Sequence, residues 1–289
     1  MKKIDDNIYH IIEEIESNKA RIGISVKFKN EAVFSFHEND IFDSACSIMA
    51  FILLEYEKRK SSGLITGDEL LNYTADNYAT GAGVIKFLPI NSELKLKDCV
   101  ELMIEKSDHI AANMVIDFLT IESINKTIQD FGYKNTILKK KFLIPKVKNV
   151  GATTPREYAT FYSNLEENTL FPEIVCKELK DIFLKQTYKD IIAGHLLAQD
   201  DYLDVACKSG KADGKIYDDT TDSYIVDGGI VFTKKGNYTI AILGELSYDS
   251  NMDLNQMKAK MQTISTLIFD MFVEAKNNET NLCPTCGSL

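Results

Sequence analysis

The sequence lacks the basic run that would point to a nucleic-acid partner and the long apolar run that would point to a membrane. It has no basic run, and its 33 Lys and Arg are outnumbered by 43 Asp and Glu, giving a net charge of -10. Proteins that follow a phosphate backbone need clustered basic residues, so we expect no nucleic-acid partner. A membrane-spanning helix needs about 20 apolar residues, whereas the longest candidate, Ile48 to Leu54, ends at Glu55. We therefore expect no membrane partner.

The N-terminal segment lacks the unbroken apolar stretch of a signal peptide. Its two lysines, Lys2 and Lys3, are followed almost at once by Asp5 and Asp6. Export is not indicated, and we expect a cytoplasmic protein. Six cysteines in 289 residues, four of them in apolar surroundings, fit reduced thiols better than a disulfide framework. A free thiolate is therefore available for chemistry.

The histidines do not form a metal-binding motif. His10, His37 and His195 are not spaced along the sequence as ligands of one metal ion would be. Cys283 and Cys286 form a lone CxxC pair, which is half of a four-ligand zinc site or a labile dithiol. We expect neither a metal nor another cofactor.

The order of hydrophobic patterns indicates an α+β fold. Composition is that of a globular protein, with 45% apolar and 26% charged residues. Helical spacing covers residues 3–18, and alternating patterns predict strands at 21–29 and 32–36, then at 203–209, 223–233 and 238–246, before a helix at 251–275. We expect a five-stranded antiparallel sheet flanked by terminal helices, with an all-helical subdomain beside it.

This order also predicts domain boundaries. Residues 1–43 and 197–276 form the α/β subdomain, residues 44–196 the all-helical subdomain, and the polar residues 277–289 a flexible, dispensable tail. Predicted helical segments in the insert are 70–71, 97–105, 109–119 and 155–165, with N-caps at Asp98 and Thr154.

Five segments carry a more specific signal, in a fixed order along most of the chain. They are IFDSACSIMAFILL, TGAGVIKFLP, LKLKDCVELMIEKSDHIAANMVIDFL, GATTPREYATFY, and CKSGKADG with the following DGGIVF and NYTIAIL. In this order they resemble the motifs of the class A β-lactamases and penicillin-binding transpeptidases. The resemblance implies the β-lactamase/transpeptidase-like fold and a cleft between the helical insert and the strand that bears Lys208.

The first motif departs from that family. In the register set by the resemblance, Cys46 stands at the serine nucleophile and Met49 at the lysine three residues later. A thioether cannot serve as the base that the family lysine supplies, so serine chemistry is excluded. Shifting the register pairs Ser44 with Ser47, or Ser47 with Ala50, and restores nothing.

The second motif keeps Ser107 and Asp108 but has His109 where the family has Asn. The resemblance places that position beside the nucleophile, so an imidazole would face a thiol, as in cysteine hydrolases. Cys46 at a helix start should have a lowered pKa, and we expect Cys46 and His109 to approach within about 4 Å.

The third motif, Lys208, Ser209 and Gly210, resembles the family's Lys-Thr-Gly strand. The resemblance implies that this strand binds a substrate carboxylate and that the N–H of Lys211 completes an oxyanion hole. The family's deacylating Glu is missing, because no Glu lies between Glu122 and Glu157.

Two functions from different classes fit these residues. The first is an intracellular cysteine acyl hydrolase or acyltransferase, in which Cys46 attacks an amide, ester or thioester, His109 transfers the proton and Ser107 relays it. Its substrate would be a small molecule or peptide, free or bound to a carrier protein, and amide formation in a biosynthetic pathway fits. Such an enzyme would not be a functional β-lactamase.

The alternative is a catalytically inactive β-lactamase-like binding protein. In that hypothesis Cys46 is a small buried apolar residue and His109 bonds a backbone carbonyl. Packing roles are expected in either case for Met49 and for the remaining cysteines of the folded part, Cys99, Cys176 and Cys207.

Overall fold

The computed structural model describes residues 6–142, 149–197, 203–216 and 220–275. The helices are α1 (Asp6–Ser17), α2 (Met49–Ser61), α3 (Leu96–Glu105), α4 (His109–Leu119), α5 (Ile121–Asp130), α6 (Pro155–Glu166), α7 (Glu173–Leu184) and α8 (Leu254–Ala275). The strands are β1 (Ala20–Phe28), β2 (Glu31–Phe36), β3 (Phe42–Asp43), β4 (Leu70–Asn72), β5 (Glu93–Lys95), β6 (Ile137–Leu138), β7 (Gly151–Thr153), β8 (Asp204–Cys207), β9 (Gly210–Ala212), β10 (Ser223–Phe232) and β11 (Tyr238–Leu246).

The main sheet is antiparallel and follows the order β2-β1-β11-β10-β8, with β9 also paired to β10. The predicted fold class is confirmed, and so are the five strand positions. The fifth position differs in one respect, because the predicted strand 203–209 ends at Cys207 and pairing resumes at Gly210. Lys208 and Ser209 lie in this interruption.

The sheet separates two apolar cores. On one face, α1 and α8 pack with the strands, and the predicted spacing of α1 places Ile8, Ile12 and Ile15 in this core. On the other face, α2 and α6 pack with the rest of the insert against residues such as Val226 and Leu243. Successive strand residues point to opposite faces, so both faces of β10 and β11 carry buried side chains.

The segment 44–196 is mainly helical but also contains short strands. The prediction of a helix at Leu70 and Leu71 is wrong, because these residues belong to β4, which pairs with β5. The alternation of exposed Leu70, buried Leu71 and exposed Asn72 is the signature of a half-buried strand. A second small sheet joins β3, β7 and β6.

The two predicted N-caps have different outcomes. Thr154 caps α6, since its hydroxyl accepts a hydrogen bond from the N–H of Glu157 at 3.1 Å. Asp98 is not a cap: α3 begins after Lys95, and Asp98 lies in its first turn. A carboxylate there still interacts favourably with the positive end of the helix.

The predicted tail, with Cys283 and Cys286, lies outside the described residues. In the described part of the chain, none of the helices has the length and apolar character needed to cross a bilayer.

Candidate active site

Cys46 lies in a tight turn that leads into α2. The turn spans Ala45–Ile48, and Ala45 has a φ of 44°, an unfavourable value for a residue with a Cβ atom. Its N–H donates to Oδ1 of Asp43 at 2.8 Å, which holds the turn in place. The predicted helix start is confirmed, and the N-terminal end of a helix generally favours a thiolate.

His109 is the first residue of α4, and Asp108 fixes the position of that helix. One carboxylate oxygen of Asp108 accepts from the N–H groups of Ile110 and Ala111, each at 3.0 Å. The other accepts from Val84 at 2.6 Å and Ile85 at 2.9 Å. Asp108 therefore joins the start of α4 to the loop after Gly81.

The thiol and the imidazole are in contact. Sγ of Cys46 lies 3.3 Å from Nε2 of His109, so the predicted approach is confirmed. The other ring nitrogen, Nδ1, lies 2.8 Å from the carbonyl oxygen of Thr80. A carbonyl oxygen can only accept, so Nδ1 carries the proton and Nε2 faces the thiol. Phe142 stacks on the ring, with the centroids 5.0 Å apart.

Electrostatics favour a thiolate at Cys46. Burial by itself would raise the pKa of the thiol, but His109, Lys208 and Ser107 together lower it to about 7. Burial opposes the charge on His109 too, yet contact with Cys46 and the bond to Thr80 raise the pKa of its imidazole. The two shifts have one cause, because thiolate and imidazolium stabilise each other.

Lys208 is a fully buried lysine beside this pair. Its Nζ donates to Oγ of Ser107 at 2.8 Å and to the carbonyl oxygen of Ser209 at 2.9 Å. Burial lowers the pKa of Lys208, whereas Cys46 raises it. Ser107 also lies 3.8 Å from Sδ of Met49, which is buried as predicted. Ser107 therefore connects Lys208 to Met49, which begins the helix that follows the turn of Cys46.

The strand β9 lies directly against the turn of Cys46. A Cβ atom on Gly210 would lie 2.5 Å from the N atom of Cys46, so only glycine fits here. The N–H of Lys208 donates to Gly228, and backbone groups alternate in direction along a strand. The N–H of Lys211, three residues on, therefore points away from β10 towards the outer edge of the sheet.

Ser209 is buried, and its hydroxyl is already bonded. It donates to the carbonyl oxygen of Tyr188 at 2.9 Å. The hydroxyl oxygen of Ser209 can still accept a hydrogen bond. Its O–H can donate to a substrate carboxylate only if the bond to Tyr188 opens. Of the predicted substrate-binding groups, Lys208 and the Lys211 N–H are therefore the better placed.

The remaining cysteines of the described residues are buried in apolar surroundings, as predicted. Cys99 and Cys176 lie in the core of the insert, and Cys207 faces the opposite core. Burial raises the pKa of Cys99 to about 12 and also raises the pKa values of Cys176 and Cys207. The part of the chain that the structure describes contains no group of three or more His, Cys, Asp or Glu able to hold a metal ion.

Sequence reasoning missed several residues that shape this site. Thr80 and Gly81 contact His109, Phe142 stacks on it, and Tyr158 bonds to the backbone of Lys208. Thr80 and Gly81 lie in the TGAG stretch and Tyr158 lies in GATTPREYATFY, two segments that carry the family resemblance, but neither segment indicates these contacts. Thr80 acts through a backbone oxygen, and Tyr158 and Phe142 contact residues distant in sequence, which no local pattern displays.

The fold agrees with comparisons to known proteins. Solved structures similar to this chain include a β-lactamase from Sphaerobacter thermophilus, 20% identical with a TM-score of 0.80 over 93% of this chain and 98% of that one. PBP-A is 22% identical with a TM-score of 0.81, covering 94% and 98% of the two chains. A class A β-lactamase representative from Bacteroides cellulosilyticus is 19% identical, with a TM-score of 0.80 over 95% and 100%.

At these identities the structures establish the fold alone. No curated protein matches the sequence. A family model described as the beta-lactamase enzyme family matches residues 3–272, nearly the whole described chain. The chain belongs to the beta-lactamase enzyme family, a family of hydrolases.

Proposed function

We propose that this chain is a cysteine-dependent acyl hydrolase or acyltransferase. One observation carries the proposal: the 3.3 Å contact between Sγ of Cys46 and Nε2 of His109. A nucleophile in contact with a base, and a base oriented by a third group, is the arrangement of covalent acyl transfer. Here the third group is the Thr80 carbonyl.

In the first half-reaction, the Cys46 thiolate attacks the carbonyl carbon of an amide, ester or thioester. The carbonyl oxygen becomes an oxyanion, which the N–H groups of Cys46 and Lys211 stabilise in this proposal. When the tetrahedral intermediate collapses, the bond to the leaving group breaks. Nε2–H of the His109 imidazolium gives its proton to that group, directly or through Ser107, leaving a thioester on Cys46 and a neutral imidazole.

In the second half-reaction, water or an amine attacks the thioester carbonyl. Neutral His109 takes the proton of the attacking group, and the C–S bond breaks to return the thiolate. Water as the acceptor gives hydrolysis, and an amine gives a new amide. An amine acceptor fits the absence of a Glu between Glu122 and Glu157, the part of the chain in which the family resemblance implies a deacylating Glu.

The surroundings of Lys208 favour a substrate that bears a carboxylate. Its ammonium is fully buried, and its two hydrogen bonds go to a hydroxyl and a carbonyl rather than to a carboxylate. A buried ammonium is costly unless it is paired, and acylation of Cys46 removes the thiolate charge that favours protonated Lys208, so a substrate carboxylate then gains from neutralising it. We therefore propose a carboxylate-bearing substrate, either a small molecule or a peptide, free or attached to a carrier protein.

The test is intact-mass detection of an acyl adduct after exposure to a panel of carboxylate-bearing esters, thioesters and amides. We expect one acyl group per chain, mapped to Cys46, and none with Cys46→Ala. Cys176→Ser, which removes a buried thiol bonded to the Phe171 carbonyl, is the matched control and should still acylate.

The experiment also separates the enzyme from the binding protein. Adding amines or carrier-bound thioesters then distinguishes transfer from hydrolysis. A ligand that raises the melting temperature but leaves no adduct on Cys46, with no turnover of any panel member, would replace this proposal with the binding protein.

A further inference from the structure

The interruption between β8 and β9 is an incomplete strand pair. In an antiparallel sheet, directly opposed residues of a hydrogen-bonded pair exchange two N–H···O bonds. Lys208 and Gly228 make only one of them, from the N–H of Lys208 to the oxygen of Gly228 at 3.0 Å. The N–H of Gly228 donates instead to Oδ1 of Asp227 at 2.9 Å.

The missing second bond leaves the carbonyl oxygen of Lys208 without a partner on β10. A buried carbonyl needs a donor, and Tyr158 of α6 supplies it through its hydroxyl. The ring of Tyr158 reaches this point because Gly228 has no side chain: a Cβ atom there would lie 2.5 Å from Cε1 of Tyr158. Tyr158 and Asp227 thus take the place of one bond of the sheet.

We infer that Tyr158 is a positioning residue, whose hydroxyl keeps the strand open at Lys208 and so sets the place of the Lys208 ammonium relative to Cys46. The backbone of Lys208 is held between Gly228 and Tyr158, and its side chain then ends at Ser107.

Without this hydroxyl, the donor that faces the carbonyl of Lys208 across the strand pair is the N–H of Gly228, which would exchange its bond to Asp227 for one to Lys208. Closing that bond would draw Lys208 towards β10 and its ammonium away from Ser107. The ammonium is one of the groups that lower the pKa of Cys46. Its displacement should raise the thiol pKa, and a rise of one unit from about 7 reduces the thiolate fraction at pH 7 about fivefold.

The test compares Tyr158→Phe with Tyr162→Phe. Tyr162 lies one turn further along α6, and its hydroxyl is 3.4 Å from that of Tyr158. It is equally buried, but within the described residues it makes no hydrogen bond to Lys208. The measurement is the pH profile of Cys46 alkylation by iodoacetamide, with the melting temperature recorded for each variant. We expect a profile shifted to higher pH for Tyr158→Phe and an unshifted one for Tyr162→Phe.

A second comparison tests whether the effect passes through Lys208. In a Lys208→Met background, adding Tyr158→Phe should not shift the profile further, because coupled residues are non-additive. Should Tyr158→Phe fail to fold, Gly228→Ala, which crowds the same ring and keeps the hydroxyl, should shift the profile in the same direction.

Two results would overturn the inference: a folded Tyr158→Phe with a lower melting temperature and an unchanged alkylation profile, or an equal shift in the Lys208→Met background. The inference rests on the proposed cysteine site but not on acyl transfer. Failure to find any acyl substrate would leave the shift in thiol pKa intact, so the two failures are distinguishable.

Discussion

The thiol of Cys46 meets His109 at the ring nitrogen that is not bonded to the Thr80 carbonyl. Nδ1 of the ring donates to the Thr80 carbonyl at 2.8 Å, and Nε2 faces Sγ at 3.3 Å. A neutral acceptor orients the ring without placing a negative charge behind it. The imidazolium is therefore stabilised mainly by the thiolate itself, which makes the reactivity of each group dependent on the other.

This dependence predicts fast, pH-controlled alkylation of Cys46. With a thiol pKa of about 7, reaction with iodoacetamide should rise to half its limit near neutral pH. Cys99, whose buried thiol has a pKa of about 12, should hardly react. Peptide mapping after alkylation gives both rates, and equal rates for the two thiols would contradict the prediction.

Removing the imidazole should raise the thiol pKa. His109→Ala deletes both the charge and the hydrogen bond that favour the thiolate, so alkylation near neutral pH should slow about tenfold or more. His37→Ala, at a half-exposed histidine paired with Glu16 and Asp40, is the control and should behave as wild type. An unchanged profile for His109→Ala would mean that the contact is only packing.

Gly81 should be needed for the position of His109. It has a φ of 99°, and a Cβ atom there would lie 2.9 Å from Cε1 of the imidazole. Gly81→Ala should therefore displace the ring and slow alkylation of Cys46 several-fold. Gly132→Ala is a matched control: its φ is 91°, but nothing lies within 4 Å of the added atom.

Both glycine variants should lose about 1 to 2 kcal/mol of stability from backbone strain. Only Gly81→Ala should change the reactivity of the thiol. If Gly132→Ala slows alkylation equally, the effect reflects global stability rather than contact with His109.

Sustained hydrolysis of β-lactams should be absent. Met49 offers no base at the position of the family lysine, and the chain has no Glu between Glu122 and Glu157. Pure protein with a chromogenic cephalosporin should show at most a slow, single acylation of Cys46. Rapid turnover over many cycles would refute the claim that Met49 and the missing Glu prevent β-lactam hydrolysis.

Much of the fold could be predicted because its elements have regular local patterns. The isoleucine spacing of α1 and the alternation in β10 and β11 place each element within a few residues. The strand at Leu70–Asn72 could not be recognised, because three residues are too few to show a period. Its partner β5 lies more than 20 residues away and is equally short.

The candidate site also contains residues that could be predicted from the sequence and residues that could not. Cys46 and His109 could be paired because a family resemblance fixes their register. The support around them depends on contacts distant in sequence: Thr80 acts through its carbonyl, and Tyr158 reaches a strand 50 residues away. Every residue has a backbone oxygen, so the sequence does not show which one accepts a hydrogen bond. A tyrosine at helical spacing that has a positioning role cannot be distinguished in sequence from one that only packs in the core.

Asp227 should make the stability of the protein depend on pH near neutrality. Its side chain is fully buried beside the interruption and accepts hydrogen bonds from Ile192 and Gly228. Burial raises its pKa from 3.8 to about 7. Between pH 3.8 and about pH 7, Asp227 stays protonated in the native protein but is ionised in the unfolded chain. The free energy of unfolding therefore falls as the pH rises through this range.

Asp227→Asn should remove this slope. One pKa unit corresponds to about 1.36 kcal/mol, so the contribution lost by the wild type across the window is on the order of a few kcal/mol. The introduced amide does not titrate, although its single carbonyl oxygen satisfies one fewer N–H and should cost a constant amount. The variant should therefore be less stable than wild type near pH 5, and the gap should narrow or reverse towards pH 8.

Urea unfolding across about pH 5 to 8 measures this difference directly. Asp130→Asn is the control, because Lys126 and Lys58 lower the pKa of that exposed carboxyl and keep it ionised throughout this range. Its stability curve should run parallel to that of the wild type. A parallel curve for Asp227→Asn as well would mean that Asp227 stays ionised in the folded protein, held by the N–H groups of Ile192 and Gly228 and by nearby Lys208.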